Sequence, residues 1–258
     1  MVTPDVIVTA CISMDFPLWR KLMSEHRQFF STIFNVFYND NRKCDFSPFI
    51  KQHTVTLFTN LDCTYDYSAA DWRDSCVNMA LRYSMNEWIL FTEQDFYPHD
   101  AAAFYSHVFE QAEKYDVIGF ADERGDKPWR FGTRLHPAFL LVRRSLIDQT
   151  SKNFANNEGF APDHFGRFAD ELLAQAPRFA SLEGLGMLPG IHWTHWQGVV
   201  SNYFLVDQNE PPNFQPAEFQ RYVELCLDPT IVQDPRFLGW SKRCLQACKK
   251  IEREKANG

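Results

Sequence analysis

The sequence predicts an α/β protein: a Rossmann-like, mainly parallel sheet with helices on both faces and a helical tail at the C-terminus. Short apolar runs alternate with longer amphipathic stretches over the first half of the chain. Those stretches are long enough to hold the crossover helices that parallel strands require. Hydrophobic residues make up 45% of the 258 residues and charged residues 23%, which is typical of a globular protein with a sizeable core.

The first three strands are predicted from short runs of apolar and β-branched residues. These runs lie at Asp5–Cys11, Ile33–Tyr38 and Thr54–Thr59. Between the first two strands, Pro17 favours the start of a helix over about Leu18–Phe30, where apolar residues recur near helical spacing.

In the next part of the chain, two helices alternate with two strands. The helices are predicted at Asp71–Met85 and at Pro98–Tyr115, the second with a proline at its start. Apolar runs predict strands at Trp88–Thr92 and Asp116–Phe120. This alternation favours one mainly parallel sheet that is covered on both faces.

The pattern changes in the second half of the chain. Trp129–Phe131 and Ala138–Val142 predict a hairpin-like pair, and Arg144–Thr150 predicts a short helix. A further helix is expected over about Asp163–Gln175, and a glycine-rich stretch then leads to His192–Trp196.

One compact domain is expected over residues 1–210, with a helical appendage over residues 211–258 packed on it. The appendage ends in Ser241–Lys255, where basic and acidic residues are mixed along an amphipathic helix. Such mixing is typical of a solvated helix face and not of one that binds lipid.

Cysteine content and charge limit the compartment and the partners. The seven cysteines include no CxxC pair, which predicts reduced thiols in the cytoplasm without a zinc site or a disulfide framework. No apolar run approaches the roughly 18–20 residues of a membrane span, and Met1–Asp5 lacks the basic region of a signal peptide. The net charge of −7 argues against a generic nucleic-acid binder.

The most informative polar residues are Glu93-Gln94-Asp95, directly after the apolar strand Trp88–Thr92. In a doubly wound sheet, ligands bind beyond the carboxyl ends of the strands. Carboxylate oxygens suit Mg²⁺ or Mn²⁺, and these cations complete their coordination with phosphate oxygens. The competing interpretation is a loop in which Asp95 caps the helix that starts near Pro98.

The stretch Asp71–Pro98 resembles the core of sugar-nucleotide-dependent glycosyltransferases of the type-A fold. In that family, a helix with an Arg/Asn-containing signature precedes an apolar strand that ends in Asp-x-Asp, whose carboxylates hold a divalent metal on the nucleotide diphosphate. Here Arg73 or Asn78 occupies the position of the helix signature. The acidic tripeptide matches the metal motif, which implies that Asp95 binds metal and that Glu93 does so directly or through water.

The resemblance extends more weakly over residues 5–205 and implies contacts with substrate. Ser13, after the first strand, would lie at the base and ribose, and Asn60 or Asp62, after the third strand, would read the base or ribose. His136 lies where such enzymes place acceptor and sugar contacts. A plain turn is the competing interpretation for Asn60 and Asp62.

The acidic segment Asp163–Glu171 resembles the one that opens the acceptor-side helix of the family. In inverting members, a carboxylate there takes the proton of the acceptor hydroxyl. The candidates for this general base are Asp163, Asp170 and Glu171, in that order. Asp170 and Glu171 face about 100° apart on a helix, so both cannot point into one site. The competing interpretation for Asp163 is a helix N-cap.

The segment His192–Ser201 resembles a late H-x-x-G-x-x-S context, in which such enzymes keep a histidine that completes the metal shell or touches the diphosphate. His195 has this spacing to Gly198 and Ser201. If the segment is extended, His192 and His195 point to opposite faces, so at most one of them is a ligand. The competing interpretation is a buried histidine satisfied by hydrogen bonds.

The resemblance implies a metal-dependent, hexosyltransferase-type glycosyltransferase that moves a sugar from a nucleoside-diphosphate sugar to an acceptor hydroxyl, with Mn²⁺ or Mg²⁺ as cofactor. The acceptor is open among a glycan, a lipid-linked sugar, a protein, a small molecule and a modified nucleic-acid base. One alternative is a nucleotidyltransferase of similar fold, although the loop after the first strand lacks the glycines that such enzymes carry. The other is a non-catalytic sugar- or nucleotide-binding protein.

Overall fold

The fold is described from a computed structural model of the chain. It describes residues 2–11, 26–37, 55–59, 70–93, 96–123, 133–154, 165–186 and 191–195, together with helical positions 242, 246, 249, 250 and 253. The helical positions lie within the helix that the sequence predicts at Ser241–Lys255. The boundary expected near residue 210 lies outside these ranges and stays a prediction.

One sheet of seven strands forms the centre of the described part. Its strands are β1 Asp5–Cys11, β2 Ile33–Phe37, β3 Val55–Thr59, β4 Trp88–Thr92, β6 Val117–Glu123, β7 Thr133–Arg143 and β8 Phe179–Ser181. They lie side by side in the order β3-β2-β1-β4-β7-β6-β8. Two short strands, β5 Phe96–Pro98 and β9 Trp193–His195, pair with each other away from this sheet.

Most neighbouring strands of the large sheet are parallel, as the sequence predicts. Parallel pairing joins β1 to β2 and to β4, β2 to β3, and β6 to β8. Among the described ladders of this large sheet, only those of β7 with β4 and β6 are antiparallel. The predicted α/β class with a mainly parallel sheet is therefore confirmed.

Helices cover both faces of this sheet. They are α1 Ala70–Tyr83, α2 Ala101–Gln111, α3 Arg144–Ile147 and α4 Gly166–Ala174. On one face, Phe91 of β4 shares a core cluster with Val77 of α1 and Phe168 of α4. On the other face, Phe139 of β7 contacts Phe104 of α2, with ring centroids 5.4 Å apart. Thr92 and not Phe91 is the register partner of Phe139, so Phe91 and Phe139 point to opposite faces.

The prediction that a helix starts at Pro98 is wrong. Pro98 ends β5, and α2 begins at Ala101 behind the N-cap Asp100, whose carboxylate accepts the Ala103 N–H at 3.0 Å. A proline is tolerated in β5 because a two-stranded ladder consists only of edge strands, where a missing N–H costs no central pairing.

The predicted hairpin also has to be corrected. Leu140–Val142 pair with Val117–Gly119 of β6 on one side and with β4 on the other, so both hydrogen-bonding edges of this stretch are used. The ladder neighbours of this stretch are therefore β4 and β6, and Trp129–Phe131 lie outside the described residues. The hairpin partner of β7 is β6. On its other side β6 pairs with β8, which was not predicted because three residues carry too little periodicity.

None of the described helices is long and apolar enough to cross a membrane.

Candidate functional site

The exit of β4 lies at the edge of the sheet where the parallel strands β1 to β4 end. Glu93 is the first residue after β4 at this edge, and its carboxyl side chain is 14% exposed. Two donors from this exit bind the carbonyl oxygen of Ala138 in β7: the Thr92 Oγ1 at 2.9 Å and the Glu93 N–H at 3.3 Å. The chain is therefore held in place where it leaves the sheet.

A bulge in β7 lies directly beside this exit. Gly119 of β6 is opposite Leu140, whereas the next residue, Phe120, is opposite His136, so residues 137–139 are extra on the β7 side. Pro137 in the bulge has no N–H to offer a ladder, which suits an interruption of pairing. The bulge brings His136 to Glu93, with 3.9 Å between Nδ1 and the carboxylate Oε2.

The imidazole of His136 is held by its own backbone and by a neighbouring ring. The Ala138 N–H donates to the His136 Nδ1 at 3.1 Å. The ring of Phe120 packs edge-on against it, with centroids 5.6 Å apart. His136 is 7% exposed, so it forms part of the floor of this edge and not a mobile surface group.

The β5–β9 ladder brings a distant part of the chain to the acidic tripeptide. Phe96 is opposite His195 in this ladder, and Pro98 is opposite Trp193. Since Asp95 immediately precedes Phe96, the backbone of His195 lies opposite the residue next to Asp95. That His195 completes a metal site with the acidic tripeptide stays a prediction. Asp95 and the side chain of His195 lie outside the described part.

Aromatic rings join the small ladder to the bulged strand. Trp193 stacks on Phe96, with centroids 5.3 Å apart, and its ring lies edge-on to Phe120 at 5.1 Å. Phe96 in turn packs on Phe139 of β7 at 5.1 Å. These contacts fix the position of β5 and β9 relative to Glu93 and His136, with each such pair worth about 0.5–1.5 kcal/mol beyond burial.

At the far end of the ladder, His99 donates its backbone N–H to the carbonyl oxygen of His192 at 2.9 Å. Burial lowers the pKa of His99 below its usual value, and the neighbouring His192 imidazole lowers it further. His99 is therefore neutral at physiological pH, and this flank of the site carries no positive charge from it.

Two further predicted residues lie on α1. The Asn78 Nδ2 donates to the backbone oxygen of Lys152 at 3.0 Å and so ties α1 to the segment after α3. Arg73 belongs to the same helix, but its side chain is outside the described part. The substrate role predicted for each of them stays a prediction.

The acidic candidates on α4 differ in their surroundings. Asp170 is exposed, whereas the Glu171 carboxylate accepts the Ser151 N–H at 2.6 Å, the Ser151 hydroxyl at 2.8 Å and the Arg167 Nε–H at 3.0 Å. The Ser151 hydrogen bonds and the Arg167 charge lower the pKa of Glu171. A carboxylate engaged in this way links α4 to the segment after α3 and is a weaker base.

The remaining predicted site residues, Ser13, Asn60, Asp62 and Asp163, lie outside the described residues. Within the described part, no group of three His, Cys, Asp or Glu side chains could hold a metal ion. The predicted ligands lie largely outside the described residues, because they include Asp95 and the side chain of His195. Their chemistry, carboxylate oxygens with one imidazole, is suited to Mn²⁺.

Sequence reasoning missed the backbone of Ala138 and the hydroxyl of Thr92, which fix the exit of β4. The available signals were a threonine at the last position of an apolar strand and a His-Pro dipeptide inside a long apolar run. A proline within a strand indicates an edge or a bulge. The sequence does not reveal, however, which neighbouring strand the bulge will face.

No protein-family model and no curated protein sequence matches the chain. Similar solved structures include HddC from Yersinia pseudotuberculosis, at 12% identity and a TM-score of 0.45, covering 81% of this chain and 99% of that one. A mannosyltransferase from Pyrobaculum calidifontis, in complex with GDP-Man and Mn²⁺, is 14% identical with a TM-score of 0.45, over 97% of this chain and 76% of that one.

A third similar structure is glucosyl-3-phosphoglycerate synthase from Mycobacterium tuberculosis, in complex with Mn²⁺, UDP-glucose and phosphoglyceric acid. It is 10% identical with a TM-score of 0.42, over 69% of this chain and 68% of that one. At identities of 10 to 14%, these likenesses assign no activity, ligand or residue role to this chain.

Proposed function

We propose that the chain is a metal-dependent glycosyltransferase that moves a sugar from a nucleoside-diphosphate sugar to an acceptor hydroxyl. The observation that supports this most directly is the β5–β9 register, in which His195 lies opposite Phe96, the neighbour of Asp95. Phe96 and His195 are 99 positions apart in sequence and neighbour two motifs that were predicted separately. The bulged strand with His136 supplies the second wall of the edge where β4 ends.

In this proposal Asp95 and His195 hold the cation, with Glu93 beside them directly or through water. The bound cation supplies Lewis-acid stabilisation of the charge that develops on the leaving diphosphate. The chain's own groups position the donor: Thr92 and Glu93 fix the exit of β4 through Ala138. Packing between Phe96 and Phe139 holds β5 against β7.

The experiment that tests the metal site is calorimetry of a nucleoside diphosphate in the presence of Mn²⁺. Asp95→Asn is expected to weaken Mn²⁺-dependent binding by about 10-fold or more, the range for losing a ligand or its support. Asp148→Asn is the matched control, because Asp148 is 48% exposed and lies near the opposite edge of the sheet. Parental affinity in the Asp95 variant would show that Asp95 is not a ligand.

The same measurement decides which histidine belongs to the site. His195→Ala is expected to weaken Mn²⁺–nucleotide affinity by about 10-fold or more, and His192→Ala by less. The exposed position of His192 at the far end of the β9 segment agrees with this order. A loss at His192 that equals or exceeds the loss at His195 would reverse the assignment.

Product analysis separates the proposed activity from a nucleotidyltransferase of similar fold. A glycosyltransferase releases a nucleoside diphosphate from a sugar nucleotide when an acceptor is present. A nucleotidyltransferase instead joins a nucleoside triphosphate to a sugar phosphate, and pyrophosphate leaves from the triphosphate. Pyrophosphate release alone would exclude our proposal, and nucleotide binding with neither product would favour a binding protein.

A further inference from the structure

We propose that His136 is a positioning residue that acts through the Ala138 peptide, as a neutral imidazole with its proton on Nε2. Its Nδ1 holds the bulge of β7 against the exit of β4, and this sets where Glu93 lies. The effect on ligand binding rests on the function proposed above. The hydrogen-bond arrangement does not depend on it and can be measured without any ligand.

The Ala138 peptide is held from both sides. Its N–H donates to the His136 Nδ1 at 3.1 Å, and its carbonyl oxygen accepts the Thr92 hydroxyl at 2.9 Å and the Glu93 N–H at 3.3 Å. Hydrogen bonds that share one peptide group polarise it and strengthen one another. The imidazole is therefore coupled to Glu93 through one peptide group, although the two residues are 43 positions apart.

The protonation of the ring follows from this contact. A ring nitrogen that accepts an N–H carries a lone pair, so the proton of the neutral imidazole lies on Nε2. A doubly protonated ring would direct its Nδ1–H at the Ala138 N–H, which the 3.1 Å contact does not allow. In this tautomer the Nδ1 of His136 carries no proton, and the Oε2 of Glu93 lies 3.9 Å from it.

His136 thus acts on Glu93 by placing its backbone, through the Ala138 peptide. The bulge that brings the ring to this position is fixed by Gly119 and Pro137, and the His136 Nδ1 accepts the N–H of Ala138 within it.

Two substitutions separate the two ring nitrogens. His136→Asn keeps an acceptor oxygen close to the position of Nδ1, and asparagine commonly accepts the N–H two residues further on. His136→Gln has a longer side chain whose polar atoms reach the Nε2 position instead. We therefore expect Asn to preserve the arrangement and Gln to lose it, although Gln is closer to histidine in size.

The first measurement is ¹⁵N NMR of the ligand-free parent chain labelled in its histidines, with the His136 signals assigned by their loss in His136→Asn. We expect an unprotonated Nδ1 and a protonated Nε2. A protonated Nδ1 would overturn the proposal. Hydrogen exchange of the Ala138 amide is expected to stay near the parental rate in His136→Asn and to become about 10-fold faster or more in His136→Gln.

The second measurement is calorimetry of a nucleoside diphosphate with Mn²⁺ on the same variants. We expect affinity within about 3-fold of the parent for His136→Asn and a loss of about 10-fold or more for His136→Gln, the range for supporting residues. Equal losses in both variants would overturn the positioning role. If the parent chain itself fails to bind, the proposed function fails, while the tautomer and exchange results still decide the role of His136.

Discussion

Asp5, at the amino end of β1, is a buried carboxylate that accepts four hydrogen bonds. It is 1% exposed and accepts the Ser84 hydroxyl at 2.7 Å, the Met85 N–H at 3.0 Å and both the backbone and side-chain N–H groups of Asn86, at 3.2 and 2.7 Å. These donors belong to the turn between α1 and β4. The carboxylate therefore fixes the entry of β4 to β1, at the edge of the sheet opposite Glu93.

Asp5→Ala is expected to lower the free energy of unfolding by about 2–4 kcal/mol, because it leaves one buried and three partly buried donors without an acceptor. Urea denaturation measures this loss. Glu113→Ala, at an exposed position after α2, is the control and is expected to change stability by less than about 0.5 kcal/mol. Equal stability of the two variants would mean that water replaces the carboxylate without cost.

Asp116, before β6, accepts hydrogen bonds from Arg178 at 2.7 and 2.9 Å and from Arg143 at 3.2 Å. The Arg178 hydrogen bonds lower the pKa of Asp116 to about 2, from an ordinary value of 3.8. Because the folded pKa is below the unfolded one, this stabilisation is present in full above about pH 4 and is lost as the pH falls towards 2.

Asp116→Asn tests this dependence in urea titrations between pH 2 and pH 6. We expect the variant to be less stable than the parent by about 1 kcal/mol at pH 6, since the exposed Arg178 is screened by solvent. The difference should shrink towards pH 2. A difference that is constant over this range would show that the loss arises from packing and not from the charge.

In the bulged pair β6–β7, the space around Gly119 is too small for a side chain. A Cβ on Gly119 would lie 2.8 Å from the Leu140 Cδ1, 3.4 Å from the Phe139 oxygen and 3.7 Å from the Leu135 Cδ2. Leu140 is fully buried, so it has little room to move away. The close approach of β6 to the bulge therefore requires glycine for lack of space.

Gly119→Ala is expected to cost about 1–3 kcal/mol, the usual range for overpacking a core. Thermal or urea unfolding measures the loss. Leu140→Ala in the same background makes room for the new methyl group, so the two substitutions together should cost less than the sum of their separate effects. Additive costs would mean that the Cβ is accommodated in another way.

The caps of α1 and α2 come from different distances along the sequence. The N-cap Asp100 accepts the N–H of Ala103, three residues further on, so this cap can be recognised from the sequence alone. The last turn of α1 is instead capped by Arg144, whose guanidinium donates to the carbonyl oxygens of Leu81 at 2.9 Å and Ser84 at 2.6 Å. No local pattern in the sequence predicts a cap that comes from 60 residues further along the chain.

Across the molecule, the two edges of the sheet carry different groups. The edge with the amino ends of the parallel strands holds the dense polar contacts of Asp5, Asp116 and Arg144. The opposite edge holds Glu93 and His136, together with the β5–β9 ladder. Ligands of such sheets bind at the carboxyl edge. The contacts that stabilise the fold and the residues of the proposed chemistry therefore lie at opposite edges of the sheet.

The proposed general base must reach the carboxyl edge of the sheet from a separate helix, so its role depends on the whole molecule. We expect one of Asp163, Asp170 and Glu171 to be needed for transfer and not for donor binding, with Asp163 first. Alanine variants should show normal donor affinity and a rate loss of roughly 10²–10⁴ at one position only. Near-parental transfer in all three would favour a retaining enzyme that needs no base there.

Glu171 is the internal control for that series. Its carboxylate is engaged by Ser151 and Arg167, so Glu171→Ala should lower stability, with little effect on transfer per folded molecule. A selective loss of transfer at Glu171, with stability intact, would move the base to that position.

The sequence by itself determined the fold class, most strands of the sheet and the acidic exit of β4. Apolar periodicity and strand-end residues are local signals, and they gave Trp88–Thr92 with the same bounds as the structure. Only the tertiary structure decided the antiparallel place of β7, its bulge at residues 137–139 and the pairing of His195 with Phe96. The physical reason is that ladder partners and side-chain caps are chosen by packing between distant segments, which no short window of sequence contains.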